Sequence, residues 1–304
     1  MAEVIRPRIE LDQFYRDIRR AAEVVGVPFN EEAITPILEA FGPRFQDSEV
    51  SLRTTNHPVA QRDLSVRYVN VTLPEDNPYE VAVERGFLLP DDHPVHRLYA
   101  DIRARLPMIG SGVDSVVSSG MQKIWPFVRG ATPEDIYTLP SIPPSVQQHD
   151  GYFKKYGLES AWLFAIDYKS RTMNIYFNFL PAAPGMPHDR ETIVNMITDL
   201  GFRLPPDEEI EANRGNVMIY LTFSWDSPKC LRASFVIPHG PADQFPRLDP
   251  FLNDILDKIP TLTKPTIVGM QTAYVLDGPN YLKAEFDYTG TMVNALKGVV
   301  MGQL

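Results

Sequence analysis

Cross-linking is the first thing this chain lacks. Cys230 is its only cysteine, which excludes an intramolecular disulfide framework and suits a reducing compartment. Basic charge is also in short supply. The 29 Lys and Arg face 39 Asp and Glu, and a net charge of −10 argues against a nucleic-acid partner held through its phosphates. No apolar run approaches the roughly 20 residues that span a bilayer, and none follows the first basic residues as a secretion signal would. A cytoplasmic protein with no membrane partner is expected. Familiar catalytic patterns are missing too: there is no GxSxG, no P-loop and no aspartate-rich DDxxD. GSGVDS at 110–115 lacks the third glycine of a dinucleotide fingerprint and reads as a loop. Asp91, Asp92, His93 and His96 form the nearest approach to a metal cluster. Pro94 interrupts them ahead of a helix, which points to capping and solvent. Neither a metal nor a cofactor is expected, and any anion site must be a local concentration of cations.

What is there is a globular composition, 44% hydrophobic and 22% charged, read as a single domain over 1–304. Leu11, Phe14, Tyr15, Ile18, Ala21, Ala22 and Val25 recur at helical spacing, and Pro28 lies just past the end. A second helix is expected over 30–41, then strands in VSLRTTN and DLSVRYVNVTL, then helices over 78–88 and 94–106. MQKIWPFV at 121–128 reads as a strand in which Pro126 favours an edge or an irregular position. A helix over 143–156 precedes a regular rhythm of hairpins (160–168 with 172–180, 215–225 with 229–238, 267–276 with 280–288) and helices (189–201, 248–258, 290–301). Hairpins imply antiparallel pairing, which excludes the parallel sheet of a doubly wound fold. The expected class is α+β, with strands as a closed inner wall and helices as an outer coat.

Residues two apart on a strand share a face, and that gives the inner wall its chemistry. Each late hairpin carries a polar side chain at nearly the same offset from its turn: Asn174 follows Asp167 by 7 residues, Arg232 follows Asp226 by 6, and Lys283 follows Asp277 by 6. Ser65 shares a face with Arg67, Lys123 with Trp125, Asn174 with Tyr176, Met218 with Tyr220, Arg232 with Ser234, and Lys283 with Glu285 and Asp287. The opposite faces are apolar, as in Met173, Ile175 and Phe177, and supply the surface that helices cover. The polar faces then look inward, where cations are costly unless an anion or water meets them. A lining of Lys, Arg, Tyr, Asn and Trp suits a diphosphate at one end and an aromatic or apolar group at the other.

At these residues the chain resembles the ABBA aromatic prenyltransferases, whose fold is the PT barrel. The likeness runs over nearly the whole length, from DQFYRDIRRAAEVVGVP through NPYEVAVERGFL and SIPPSVQ to DYKSRTMNIYF, LTFSWDSPKCLRASFVI and YLKAEFDYTGTM. It implies a ten-stranded antiparallel barrel of repeated αββα units, of the compact bacterial type, and transfer of an allylic prenyl group from its diphosphate to an aromatic acceptor. The resemblance assigns diphosphate contacts to Arg53, Arg67, Lys123, Asn174, Tyr176, Tyr220, Arg232 and Lys283. Ser65 stands where magnesium-dependent members carry an aspartate, and Arg67 lies two residues on. Metal-independent activity follows if a fixed guanidinium replaces the ion. Ser170 stands where some relatives place a lysine.

The implied reaction is electrophilic aromatic substitution, with a dimethylallyl group the expected donor. Cationic and tyrosyl donors take the charge that develops on the departing diphosphate, and Tyr176, Tyr220 and Trp125 shelter the allylic cation. Glu285 is the candidate for binding an acceptor hydroxyl or removing its proton; the alternative is a simple ion pair with Lys283 or Arg232. Trp162 replaces an arginine found in relatives that use a carboxylated hydroxyphenyl acceptor. With Phe164, Met218 and Ser234 it is expected to form a broad pocket for a hydroxynaphthalene, phenazine or phenol. Cys230 is expected to be a packing residue. A monomer is expected. A non-catalytic carrier barrel and a prenyl-diphosphate hydrolase are the rival readings.

Overall fold

The computed structural model describes residues 7–46, 48–180 and 186–292. Among these, ten strands form the centre: β1 (Glu49–Thr55), β2 (Leu64–Asn70), β3 (Met108–Val116), β4 (Gly120–Ala131), β5 (Ala161–Asp167), β6 (Thr172–Asn178), β7 (Met218–Ser224), β8 (Arg232–Pro241), β9 (Ile267–Val275) and β10 (Tyr281–Asp287). All neighbours are antiparallel, and the ring closes where β1 meets β10, with Leu52 opposite Phe286 and Arg53 opposite Glu285. Five hairpins in sequence order build the barrel, and helices fill the spaces between hairpins. These are α1 (Leu11–Val25), α2 (Glu31–Gln46), α3 (Pro78–Glu84), α4 (Val95–Arg105), α5 (Pro133–Tyr137), α6 (Ser145–Gln148), α7 (Asp150–Lys155), α8 (Arg190–Asp199), α9 (Asp207–Asn213) and α10 (Pro250–Ile255).

Strand alternation divides the apolar residues into two cores. Leu52, Val66, Ile124, Ile175, Leu221 and Phe286 point outward and are at most 1% exposed, because the helices cover them. Fully burying each such side chain contributes about 1.5–3 kcal/mol, so this annulus holds helices and barrel together. A second cluster, with Trp125, Trp162, Tyr176, Met218 and Tyr220, lies inside the barrel.

The structure departs from the sequence reading at specific places. GSGVDS is not a loop but the middle of β3. A Cβ at Gly110 would lie 2.0 Å from Asn70 O and one at Gly112 would lie 2.6 Å from Tyr68 O, so glycine is what the close approach of β2 admits. Of the two positions expected for Pro126 it is not at an edge, since β4 has partners on both sides, but it does stand beside an irregularity: the pairing with β5 loses register just beyond, between Phe127 and Ala131. Helix α2 runs on through Pro43 to Gln46, held by Phe41 and Phe45 packed on the Tyr68 ring. The single helix expected over 143–156 is two, α6 and α7. His149 separates them, its Nδ1 2.7 Å from Ser145 O and its Nε2 accepting from Cys230 N at 3.3 Å. Helix α5 starts on a capping box in which Thr132 and Asp135 satisfy each other's backbone N–H groups. The helix expected over 290–301 lies beyond residue 292, outside the described residues, for nearly all its length.

Candidate active site

The inward strand positions form two tiers. One is a polar cavity of about 270 Å³, lined by Arg53, Lys123, Arg232 and Lys283 together with Ser65, Ser170, His57 and Tyr281. Lys123 Nζ lies 3.2 Å from Asp167 Oδ2, and Arg53 reaches Ser65 Oγ at 3.0 Å and Asp114 Oδ2 at 3.5 Å. Arg232 and Lys283 have no carboxylate partner among the described residues. Arg232 donates to the Tyr281 hydroxyl at 3.0 Å and to Asn174 Oδ1 at 3.3 Å, and its buried Nε has no partner among the described residues. Lys283 donates to the Tyr220 hydroxyl.

These contacts set the electrostatics. Burial pushes the Lys283 amine well below its usual pKa, and the charges of Arg232, Arg53 and Lys123 push it the same way. Burial also lowers Lys123, partly offset by Asp167. Burial opposes the Arg232 charge, yet Tyr281 and Tyr220 hold its pKa above the ordinary value. His57, its ring tilted against that of Tyr281 with centroids 4.2 Å apart, is lowered by burial and by Lys283. Four basic side chains face the lining carboxylates Asp63 and Asp167, so the cavity favours an anion that carries more than one charge.

Tyr176 and Tyr220 join the tiers, stacked with centroids 4.4 Å apart and planes at 29°. Beyond them is an apolar cavity of about 40 Å³ walled by Trp125, Phe127, Trp162, Leu163, Met218 and Val236. Its polar members are Arg67, Glu285, Gln271 and His239. Arg67 Nε lies 3.0 Å from Asp114 Oδ2 and its Nη1 2.7 Å from Glu285 Oε1, with the guanidinium 4.1 Å from the Trp125 ring centroid. Glu285 also accepts from Ser51 Oγ at 2.7 Å and from Gln271 Nε2 at 3.0 Å. Burial opposes its charge, but Arg67 outweighs that and holds the carboxyl at about 2. Asp114 is depressed for the same reason, against burial, by Arg67, Arg53 and Lys123.

Of the site residues expected from sequence, Arg53, Lys123, Arg232 and Lys283 line the polar cavity, and Arg67, Trp125, Trp162, Tyr176, Met218 and Glu285 line the apolar one. Asn174 and Tyr220 line neither; they orient Arg232 and Lys283 from the wall. Ser234 is wholly buried opposite Tyr220. Phe164 corrects the expected pocket. Between Ala161 and Leu163 the β5–β6 register shifts by one, so Trp162 and Leu163 both face inward. Phe164 then pairs with Ile175 and joins the outer core. Glu285 pairs with Arg67 rather than with Lys283 or Arg232. Cys230 belongs to the outer core, where burial pushes its thiol up to about 12. Asp91 is engaged by Arg171 at 2.6 Å and by the His93 amide at 2.8 Å.

Sequence reasoning missed Asp114, His57, Tyr281, Gln271 and His239. Tyr281 stands two before Lys283 and Gln271 is a polar residue within an expected strand, so alternation could have found both. Asp114 was hidden in glycine-rich GSGVDS, and His57 in a turn.

A sequence model of the aromatic prenyltransferase Orf2 family matches residues 9–300. The furaquinocin biosynthesis prenyltransferase of Streptomyces sp. (strain KO-3988) is 29% identical over 294 residues, 95% of this chain and 93% of its own length. The 5,10-dihydrophenazine-1-carboxylate 9-dimethylallyltransferase of Streptomyces anulatus is 30% identical over 233 residues, 75% of this chain and 76% of its own. The flaviolin linalyltransferase of Streptomyces virginiae is 27% identical over 286 residues, 92% of each. Among solved structures, AnaPT from Neosartorya fischeri matches with a TM-score of 0.60 over 93% of this chain and 95% of its own, at 11% identity, a likeness of fold.

Proposed function

This chain belongs to the aromatic prenyltransferase Orf2 family, and from that premise we propose that it moves a dimethylallyl group from its diphosphate to a hydroxynaphthalene, phenazine or phenol without a metal ion. One observation carries the reading. A cavity in which two buried basic side chains, Arg232 and Lys283, have no carboxylate partner among the described residues adjoins, across a tyrosine stack, an aromatic cavity. A diphosphate supplies the counter-charge in the first, and its prenyl tail reaches the second.

Arg53, Lys123, Arg232 and Lys283 hold the diphosphate in this scheme, with Asn174 and Tyr220 orienting them. The prenyl C–O bond breaks and its electron pair leaves on the diphosphate, whose growing charge these preorganised donors stabilise. Tyr176, Tyr220 and Trp125 offer π faces to the allylic cation and exclude water. The acceptor ring then attacks and loses a proton. Arg67 has a different task from the one the resemblance implies: balanced by Asp114 and Glu285, it braces the acceptor tier. The names of the relatives specify dimethylallyl in one case and linalyl in another. An apolar cavity of about 40 Å³ favours the shorter chain, and an aromatic acceptor must displace movable side chains such as Met218.

The test is a chromatographic assay with dimethylallyl and geranyl diphosphates against phenols, naphthols and phenazines, run with a chelator. Prenylated aromatic product at undiminished rate is expected. Prenyl alcohol without aromatic product would identify a hydrolase, unchanged substrates a carrier, and activity restored only by magnesium would remove the metal-free mechanism.

A further inference from the structure

We propose that His239 is the base that takes the proton from the prenylated carbon of the acceptor, an inference that rests on the reaction proposed above. The imidazole reaches the interior through a break in strand alternation. β8 pairs with β9 at Ile237 and Met270 and next at Gly240 and Val268, so Pro238 and His239 together oppose Gly269. Such bulges re-aim a side chain, and Pro238 removes a ladder donor at the same point. Gly269 completes the arrangement. It is directly opposite Glu285 on β10, and a Cβ there would meet His239 Cε1 at 2.7 Å, Nε2 at 2.8 Å and Nδ1 at 2.9 Å. The ring therefore fills the space of the side chain that residue 269 lacks.

The imidazole is a wall of the apolar cavity, beside Met218, Gln271 and Glu285. Its Nε2 is buried and has no hydrogen-bond partner among the described residues, which leaves that nitrogen to the acceptor. Glu285 is the obvious rival and is poorly suited. Arg67, Ser51 and Gln271 already bond its two oxygens.

The step balances. The prenyl C–O bond breaks with its electron pair on the diphosphate, and a π pair of the acceptor forms the new C–C bond. The C–H pair of that carbon then returns to the ring as its proton passes to His239 Nε2, and the imidazolium gives the proton to solvent after product leaves. Positioned bases contribute about 10²–10⁴-fold to such transfers.

His239→Ala is expected to lower kcat by about 100-fold with little change in acceptor KM. Free imidazole restores part of the loss, and deuterium at the reacting carbon slows the variant where it does not slow the parent. Gly269→Ala keeps the imidazole but displaces it, and is expected to reproduce the loss of kcat. Binding of inorganic diphosphate, read by calorimetry, stays unchanged in both and reports an intact barrel. Parent-like kcat in His239→Ala, or a loss confined to acceptor KM with no isotope effect, would overturn the assignment. A parent enzyme that forms no prenylated aromatic would overturn the reaction itself, and the base with it.

Discussion

The two tiers of the barrel interior treat buried charge in opposite ways. Arg67, 2% exposed, lies between the carboxylates of Asp114 and Glu285 and over the Trp125 ring. Lys283, 3% exposed, meets the Tyr220 hydroxyl and a field of other cations. Both are basic residues on inward strand positions, and burial alone does not separate them. Charge balance does. A compensated cation is part of the wall, whereas an uncompensated one destabilises the free protein and is retained where a ligand repays the cost.

The largest expected effect on catalysis breaks the uncompensated tier. Arg232→Ala removes a guanidinium fixed by Tyr281 and Asn174. It should lower kcat/KM for dimethylallyl diphosphate by about 10²–10³, the range for losing one preorganised donor, while the melting temperature stays near that of the parent. Steady-state kinetics with calorimetric melting check both halves. A variant that melts early and keeps its kinetics would reverse the assignment of the tiers.

Breaking the compensated tier should do the opposite. Asp114→Ala leaves Arg67 with one carboxylate and Arg53 with none of its own. Removing one partner from a buried pair costs about 3–5 kcal/mol, which denaturant titration would detect. Acid tests the same tier through Glu285. Its carboxyl is held at about 2, against about 4.3 for a free glutamate, so its stabilisation is complete above the higher value and is lost as pH falls toward the lower. Stability unchanged in Asp114→Ala would mean that the pair is not what holds Arg67.

The tiers were unequally legible in the sequence. Nine strands, the antiparallel pairing and the inward faces of Arg67, Lys123, Asn174, Arg232 and Lys283 follow from a period of two, because the covering helices force the apolar faces outward. In the polar tier, Arg232 and Lys283 were readable from hairpin offsets and Lys123 from alternation, whereas Arg53 came from the resemblance and His57 and Tyr281 were missed. The apolar tier was read only in part: Arg67, Trp125, Trp162, Tyr176, Met218 and Glu285 were expected there, but the rest depends on departures from that period. One bulge brings Trp162 and Leu163 inward together and turns Phe164 out. Another swings His239 over Gly269. β3 carries glycine for close packing against β2, and its composition imitates a loop, which concealed Asp114 and with it the balance of Arg67. Alternation predicts which face a residue takes only until the register slips, and the sequence does not mark where that happens.

The smallest expected effect sharpens the comparison through protons. Lys283 is held well below its usual pKa by burial and by neighbouring cations. A diphosphate placed among those cations cancels their repulsion and raises the amine back toward its ordinary value. Between the free and bound values the amine takes up a proton as the anion binds, so affinity should fall as pH rises through that interval. Calorimetry of inorganic diphosphate in buffers of different ionisation enthalpy measures the uptake. Lys283→Met should bind about 10-fold more weakly, as expected for losing one charge-assisted hydrogen bond. The proton uptake of the parent in excess of that variant isolates the amine from the titration of diphosphate itself. Equal uptake in the two proteins would show that Lys283 is already protonated before the anion arrives. The two tiers would then differ in the identity of their neighbours but not in the cost of their charge.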